Sequence, residues 1–123
     1  MKIITLACAG LLLFSTWAHA GETLSADAVK KLLSGKTAHT LGANGATHKN
    51  HFGLDGKLNR STDGKLSEGT WYVEDDGTHC VKGVPGDCAK IVNNGDGSYD
   101  RVTDKGEVRA RWLAIVDGKD FRP

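Results

Sequence analysis

The stretch DGKLNRSTDGKLSEGTWYVEDDG, residues 55 to 77, carries the clearest structural signal in this chain. Three Asp-Gly dipeptides punctuate it: Asp55-Gly56, Asp63-Gly64 and Asp76-Gly77. Asp-Gly suits the central positions of tight hairpin turns because both residues tolerate positive φ. The runs between these turns are short and include Trp71, Tyr72 and Val73, residue types that favour strands. In an extended chain Trp71 and Val73 share one face and Tyr72 takes the other. The stretch reads as strands folded back on one another.

The same punctuation continues on both sides. Asn94-Gly95, Asp96-Gly97, Asp104-Lys105-Gly106 and Asp117-Gly118 are further turn signals. They predict strands near 36–42, 47–53, 56–60, 68–75, 78–84, 88–94, 97–103 and 106–116. Consecutive short strands pair most simply as an antiparallel meander. In the last of them Val108, Ala110, Trp112, Ala114 and Val116 alternate with Glu107, Arg109 and Arg111. Leu113 and Ile115 break that alternation, which predicts an end covered on both sides by the helix described next.

One helix precedes the strands. Ser25 can cap it, Asp27 suits the positive end of its dipole, and Gly35 fits the left-handed position past its end. Val29, Leu32 and Leu33 fall on one face at helical spacing. So short a helix is marginal alone and must rest its stripe on the sheet. The expected class is mainly β: an antiparallel meander curled into a small, lipocalin-like barrel or half-barrel with one short N-terminal helix at a mouth. Closing the sheet removes its edges. An open sheet covered by the helix is the alternative.

Residues 1–20, MKIITLACAGLLLFSTWAHA, have a positive start at Lys2, an apolar middle and small residues at Ala18 and Ala20. That is the pattern of a cleaved secretory signal peptide. Cys8 sits inside the apolar run, and Thr5 occupies the position where a lipobox usually has Leu, so Cys8 reads as a discarded hydrophobe. Residues 21–123 then form one β-rich domain, with a periplasmic address. The full chain has a formal net charge of +1, and Lys2 is the one charged residue in the leader, so the remainder is formally neutral. No basic excess favours nucleic acid, and no apolar stretch after residue 20 is long enough to span a bilayer.

The leader leaves two cysteines, Cys80 and Cys88. Outside the cytosol paired thiols oxidise and persist. Their C-x7-C spacing is neither the C-x-x-C of redox motifs nor the C-x-x-C-H of haem attachment, and no second pair completes a zinc site. The reading is a disulfide joining consecutive strands across Val84-Pro85-Gly86-Asp87. On the loop-entropy account so short a loop contributes roughly 2.5 kcal/mol.

Several runs taken in order resemble a family of small secreted proteobacterial proteins without an assigned function. The amphipathic helix is followed by Leu33-Ser34-Gly35-Lys36-Thr37, then Phe52-Gly53-Leu54-Asp55-Gly56-Lys57-Leu58, then Gly69-Thr70-Trp71-Tyr72-Val73, then the cysteine pair. The likeness covers most of the chain after the leader. Ala89 departs from it, standing where the pattern has an aromatic residue. The resemblance implies a periplasmic, compact β-rich protein, and it carries over no catalytic residue.

Other groupings carry less. His48 and His51 form H-x-x-H, and with His39 from a neighbouring strand they make a conceivable metal site. On a strand, residues three apart face opposite sides, and surface histidines are the plainer reading. Asn94 to Asp100 has oxygens at alternate positions, but Tyr99 and Lys105 replace the Gly and Glu that a calcium loop needs, so a hairpin turn accounts for it. No G-x-S-x-G elbow is present. Arg109 and Arg111, with Arg101 and Lys90 nearby, make a candidate face for an anionic ligand or acidic partner. The expectation is a non-enzymatic binding or interaction module without a cofactor. It would hold a small ligand or another envelope protein. Periplasmic metal binding through His39, His48 and His51 is the alternative.

Overall fold

The computed structural model describes residues 21–122. The signal-peptide reading of residues 1–20, with Cys8, lies outside the described residues. Eight strands form the expected meander: β2 (Lys36–Gly42), β3 (Thr47–Phe52), β4 (Lys57–Thr62), β5 (Lys65–Val73), β6 (His79–Lys82), β7 (Cys88–Asn93), β8 (Tyr99–Val102) and β9 (Val108–Asp117). Each pairs antiparallel with the next. β9 returns to pair with β2, from Lys36↔Asp117 to Gly42↔Ala110, so the sheet closes into an eight-stranded barrel. The open-sheet alternative is set aside by that pairing.

A short strand absent from the sequence reading, β1 (Glu22–Thr23), precedes them. Its cause lies in β6. Only His79 and Cys80 of β6 pair with β7, which leaves the rest of that edge of β7 without a partner. β1 takes it, pairing with Asn93 and Val92. Gly21 N–H then donates to Asn93 O at 2.7 Å and Leu24 N–H to Ile91 O at 2.8 Å. The backbone groups of the edge are thereby satisfied.

Helix α1 (Ala26–Leu33) begins where Ser25 accepts from Ala28 N–H at 3.3 Å, as the capping argument expects. It ends at Gly35, whose φ of 76° takes the left-handed turn and whose N–H docks on Phe52 O at 2.7 Å. Val29 and Leu33 are fully buried, and Leu32 packs partly beside them. They close one end of the barrel. Ala38, Phe52, Leu58, Trp71 and Ile91 continue the same apolar cluster inside it.

The register fixes which side chains point inward. Asn50↔Arg60, Phe52↔Leu58, Trp71↔Val81, Ile91↔Arg101 and Thr40↔Trp112 are opposed pairs on the inner face. Phe52 stands at the centre, with ring centroids 5.3 Å from Trp71, 5.2 Å from His79 and 5.9 Å from Trp112. The Phe52–Trp71 contact is edge-on, and such aromatic pairs add about 0.5–1.5 kcal/mol each beyond the area they bury.

Two sequence expectations change. The β4–β5 hairpin is longer than the turn rhythm implied, because Lys65–Ser67 are strand and the turn is only Asp63-Gly64, with φ of 51° and 82°. In β9, the end around Leu113 and Ile115 is not covered on both sides. The register shifts between His39 and Thr40, which pair with Ala114 and Trp112 and leave Leu113 over as the extra residue of a bulge. Leu113 is 52% exposed, and the phase change turns Ile115, rather than Ala114 or Val116, toward the core.

Gly77, in the turn between β5 and β6, marks where barrel and helix meet. Its φ is 92°, and a Cβ there would lie 2.5 Å from the carbonyl oxygen of Leu24, at the entry to α1. Gly106 has a similar φ of 84° with open space around it. Gly106→Ala should therefore cost only the backbone term, about 1–2 kcal/mol, whereas Gly77→Ala should cost measurably more. Urea unfolding of the two variants side by side checks this, and equal losses would contradict the packing of α1 described here.

Candidate binding cavity at the open mouth

The end of the barrel opposite α1 is formed by the β2–β3, β4–β5, β6–β7 and β8–β9 connections, and it is not filled. A cavity of about 500 Å³ opens there. Its floor includes Phe52, His79 and Trp112, and its walls include Thr40, Asn50, Arg60, Arg101 and Ala110. Two other depressions, of about 440 and 470 Å³, lie elsewhere. The first is bordered by His39, His48, Leu113 and Phe121, and the second by Glu74, Asp76, Asp104 and Glu107. Of these three, the mouth cavity is the one that reaches the aromatic centre of the barrel.

Its electrostatics are one-sided. Arg101 projects inward and is only 6% exposed. Its Nη1 donates to Gly86 O at 2.8 Å, and its Nη2 to His79 O and Asp87 O at 3.0 Å each. Its Nε is buried with no hydrogen-bond partner. Burial above all, then the neighbouring charges of Arg60 and Arg109, pushes its pKa down to about 10, with Asp87 opposing. It remains protonated at neutral pH. Arg60 is half-buried beside it, donating from Nε to Asn50 Oδ1 at 2.6 Å and from Nη1 to Pro85 O at 2.8 Å. Burial lowers its pKa too. Asn50 is held in turn by Thr40 Oγ1 at 3.1 Å. Among the described residues neither arginine has a carboxylate within ion-pair distance.

The disulfide shapes this wall. Cys80 and Cys88 are bonded as directly opposed residues, with Cα atoms 4.0 Å apart. They close the loop that carries Pro85, Gly86 and Asp87, the residues whose carbonyls hold the two arginines.

The predicted face of Arg109 and Arg111 divides. Arg111 lies outside, bidentate to Asp100, with Nε–Oδ1 at 2.7 Å and Nη2–Oδ2 at 3.2 Å. That contact first, then a hydrogen bond from Asn94 and the Arg111 charge, holds the Asp100 carboxyl below its ordinary range against the opposing effect of burial. Arg109 falls in a second bulge, where the register shifts between Arg101 and Val102, and it borders both the mouth and the acidic depression. Arg101 does not share their face. It pairs with Ala110, whose side chain is inward. Lys90 is engaged with Asp76 at 3.1 Å.

The three histidines are not gathered into one site, although His39 and His48 border the same depression. Thr40↔His48 is an inner pair, whereas Thr37↔His51 and His39↔Lys49 are outer ones. His48 Nδ1 is 2.7 Å from Thr62 Oγ1 and His51 Nδ1 is 3.4 Å from Thr37 Oγ1. Among the described residues no three His, Cys, Asp or Glu side chains are placed to hold a metal ion. The three-histidine site is not assembled because β2 and β3 send His48 to one face and the other two to the opposite face. The Asn94–Asp100 oxygens serve the β7–β8 turn, with Asp96 accepting from Ser98.

The residue that the sequence reading missed is His79. It is 1% exposed, among Phe52, Trp71 and Trp112, and neither ring nitrogen has a partner. Burial, and secondarily the Arg101 charge, lowers its pKa well below 6.5. The signal was its phase with Val81 on β6, which a four-residue strand displays only once.

Compared with known proteins, the chain matches no family model and no curated protein. The family resemblance rests on the quoted motifs alone.

His79 gives a pH prediction. Folded, it stays neutral, and unfolded, it takes a proton near its ordinary pKa of 6.5. The unfolded chain thus binds more protons in acid, so stability is intact above that value and falls below it. The slope approaches about 1.4 kcal/mol per pH unit until the folded pKa is reached. His48, also lowered by burial, adds in the same direction. Chemical denaturation from neutral pH to about pH 5 should show this loss in the native protein and a much smaller one in His79→Phe. Equal slopes would contradict the buried, neutral assignment.

Proposed function

We propose that this chain is a non-enzymatic binding protein of the bacterial envelope that holds a small ligand in the open mouth of its barrel. The observation that carries the reading is the cavity itself, which combines an aromatic floor with a few convergent polar groups. Its volume of about 500 Å³ falls within the range usual for small-molecule sites. The polar groups suit holding rather than reacting. Arginine keeps its proton throughout the working range, so Arg60 and Arg101 offer fixed charge and directed N–H groups rather than proton transfer. A leader at residues 1–20 and a disulfide that persists in an oxidising compartment support the envelope address. Among the described residues no helix is long and apolar enough to cross a membrane. The motif order shared with small secreted proteobacterial proteins is in keeping with this address.

Ala110 provides the test, because its side chain faces the cavity from β9. A mixture of small aromatic acids, amides and alcohols should shift backbone amide resonances around Thr62, Gly86 and Ala110 in the native protein. The same mixture should leave Ala110→Phe, with the mouth filled, unaffected. If no compound shifts those resonances, or if the filled variant responds as the native one does, the mouth is not a binding site.

A further inference from the structure

Two guanidinium groups converge on one small patch of this mouth. A Cβ built on Gly86 would lie 3.3 Å from Arg101 Nη1 and 3.9 Å from Arg60 Nη2. Neither of Arg60's hydrogen bonds uses Nη2. Arg101 retains donors that its three carbonyl bonds do not occupy, including the buried Nε. Carbonyl oxygens satisfy hydrogen-bonding geometry, but they do not neutralise charge. Asp87 offers Arg101 its backbone carbonyl, and its carboxylate is not within ion-pair distance of either arginine among the described residues. Buried charge is ordinarily paired, and single-sign cavities draw counter-ions. Arg109 adds a third cation at the rim. Beneath the cations lie the rings of Phe52, His79 and Trp112, each at most 2% exposed, with the side chains of Asn50 and Thr40 beside them.

We infer that the ligand of the mouth is a small amphipathic oxyanion, a carboxylate or a phosphate ester on a flat apolar body, with its oxygens between Arg60 and Arg101 and its body against Phe52 and Trp112. The inference rests on the mouth being a binding site, and it specifies what that site selects. Planar guanidinium forks match carboxylate and phosphate oxygens alike, so both head groups share one recognition chemistry. The aromatic floor favours a ring over a bare inorganic ion.

Calorimetric titration with benzoate, phenyl phosphate and the neutral isostere benzamide tests it. The native protein should bind at least one of the two acids about tenfold or more tightly than benzamide, and the order of the two acids identifies the preferred head. Arg60→Gln should weaken that acid by about tenfold or more while leaving benzamide nearly unchanged. Arg60 is half-buried and off the aromatic cluster, so this variant should fold, as its circular dichroism and melting will show. Arg60→Lys, which keeps charge but loses the fork, should fall between. Benzamide binding as tightly as both acids, or an unchanged acid affinity in Arg60→Gln, would overturn the oxyanion assignment while leaving the mouth as a site. No binding by any of the three, in a protein whose Ala110→Phe comparison does show mouth binding of other compounds, would also overturn it. Failure of every compound in both experiments would remove the underlying site.

Discussion

A buried guanidinium governs the open half of this barrel. Arg101 enters the interior from β8, and its charge has to be accommodated where water is scarce. Three carbonyls, from His79, Gly86 and Asp87, take its N–H groups. All three belong to β6 or to the loop that follows it, and the Cys80–Cys88 bond spans that same segment. One arginine therefore ties β8 to the disulfide loop across the interior. Burying such a group without a compensating anion is costly. That cost is the physical reason to regard the mouth as a site rather than as an accident of packing.

The interior is divided along its axis. Toward α1 it is packed solid by Phe52, Leu58, Trp71 and the helix residues Val29 and Leu33. Toward the other end it carries the buried Arg101 and the half-buried Arg60 around the mouth cavity. Phe52, His79 and Trp112 form the boundary, belonging to the core and to the cavity floor together. The stability of the barrel and the shape of the site are thus set by the same three rings. The helix α1 closes one end of the barrel and leaves the opposite mouth open.

Much of this architecture was legible in the chain. The turn dipeptides mark most of the boundaries of the eight meander strands, Ser25 and Gly35 bracket the helix, and the cysteine spacing implies a cross-strand bond. Those signals are local, and turn chemistry acts locally. What escaped depends on phase. Leu113 and Arg109 sit at bulges, which reverse a strand's inward and outward faces without leaving a composition signature. Arg101 and His79 lie on strands of four residues, Tyr99–Val102 and His79–Lys82, too short for alternation to declare a face. β1 could not be foreseen from two residues, because its existence depends on how little of β7 is covered by β6. The candidate site followed the same division. The cysteine spacing identifies the disulfide loop, whereas the sequence places Arg101 only near the Arg109 and Arg111 face and not inside the barrel.

Among the described residues, Arg60 and Arg101 lack the carboxylate partner that Arg111 and Arg122 possess. Side-chain Nε–H resonances of the arginines report this residue by residue as an aromatic carboxylate is added. Arg60 and Arg101 should show saturable shifts, with Arg111 and Arg122, already bonded to Asp100 and Asp120, nearly still. Shifts that grow without saturation and affect all the arginines alike, or that spare Arg60 and Arg101, would contradict that difference between the two pairs.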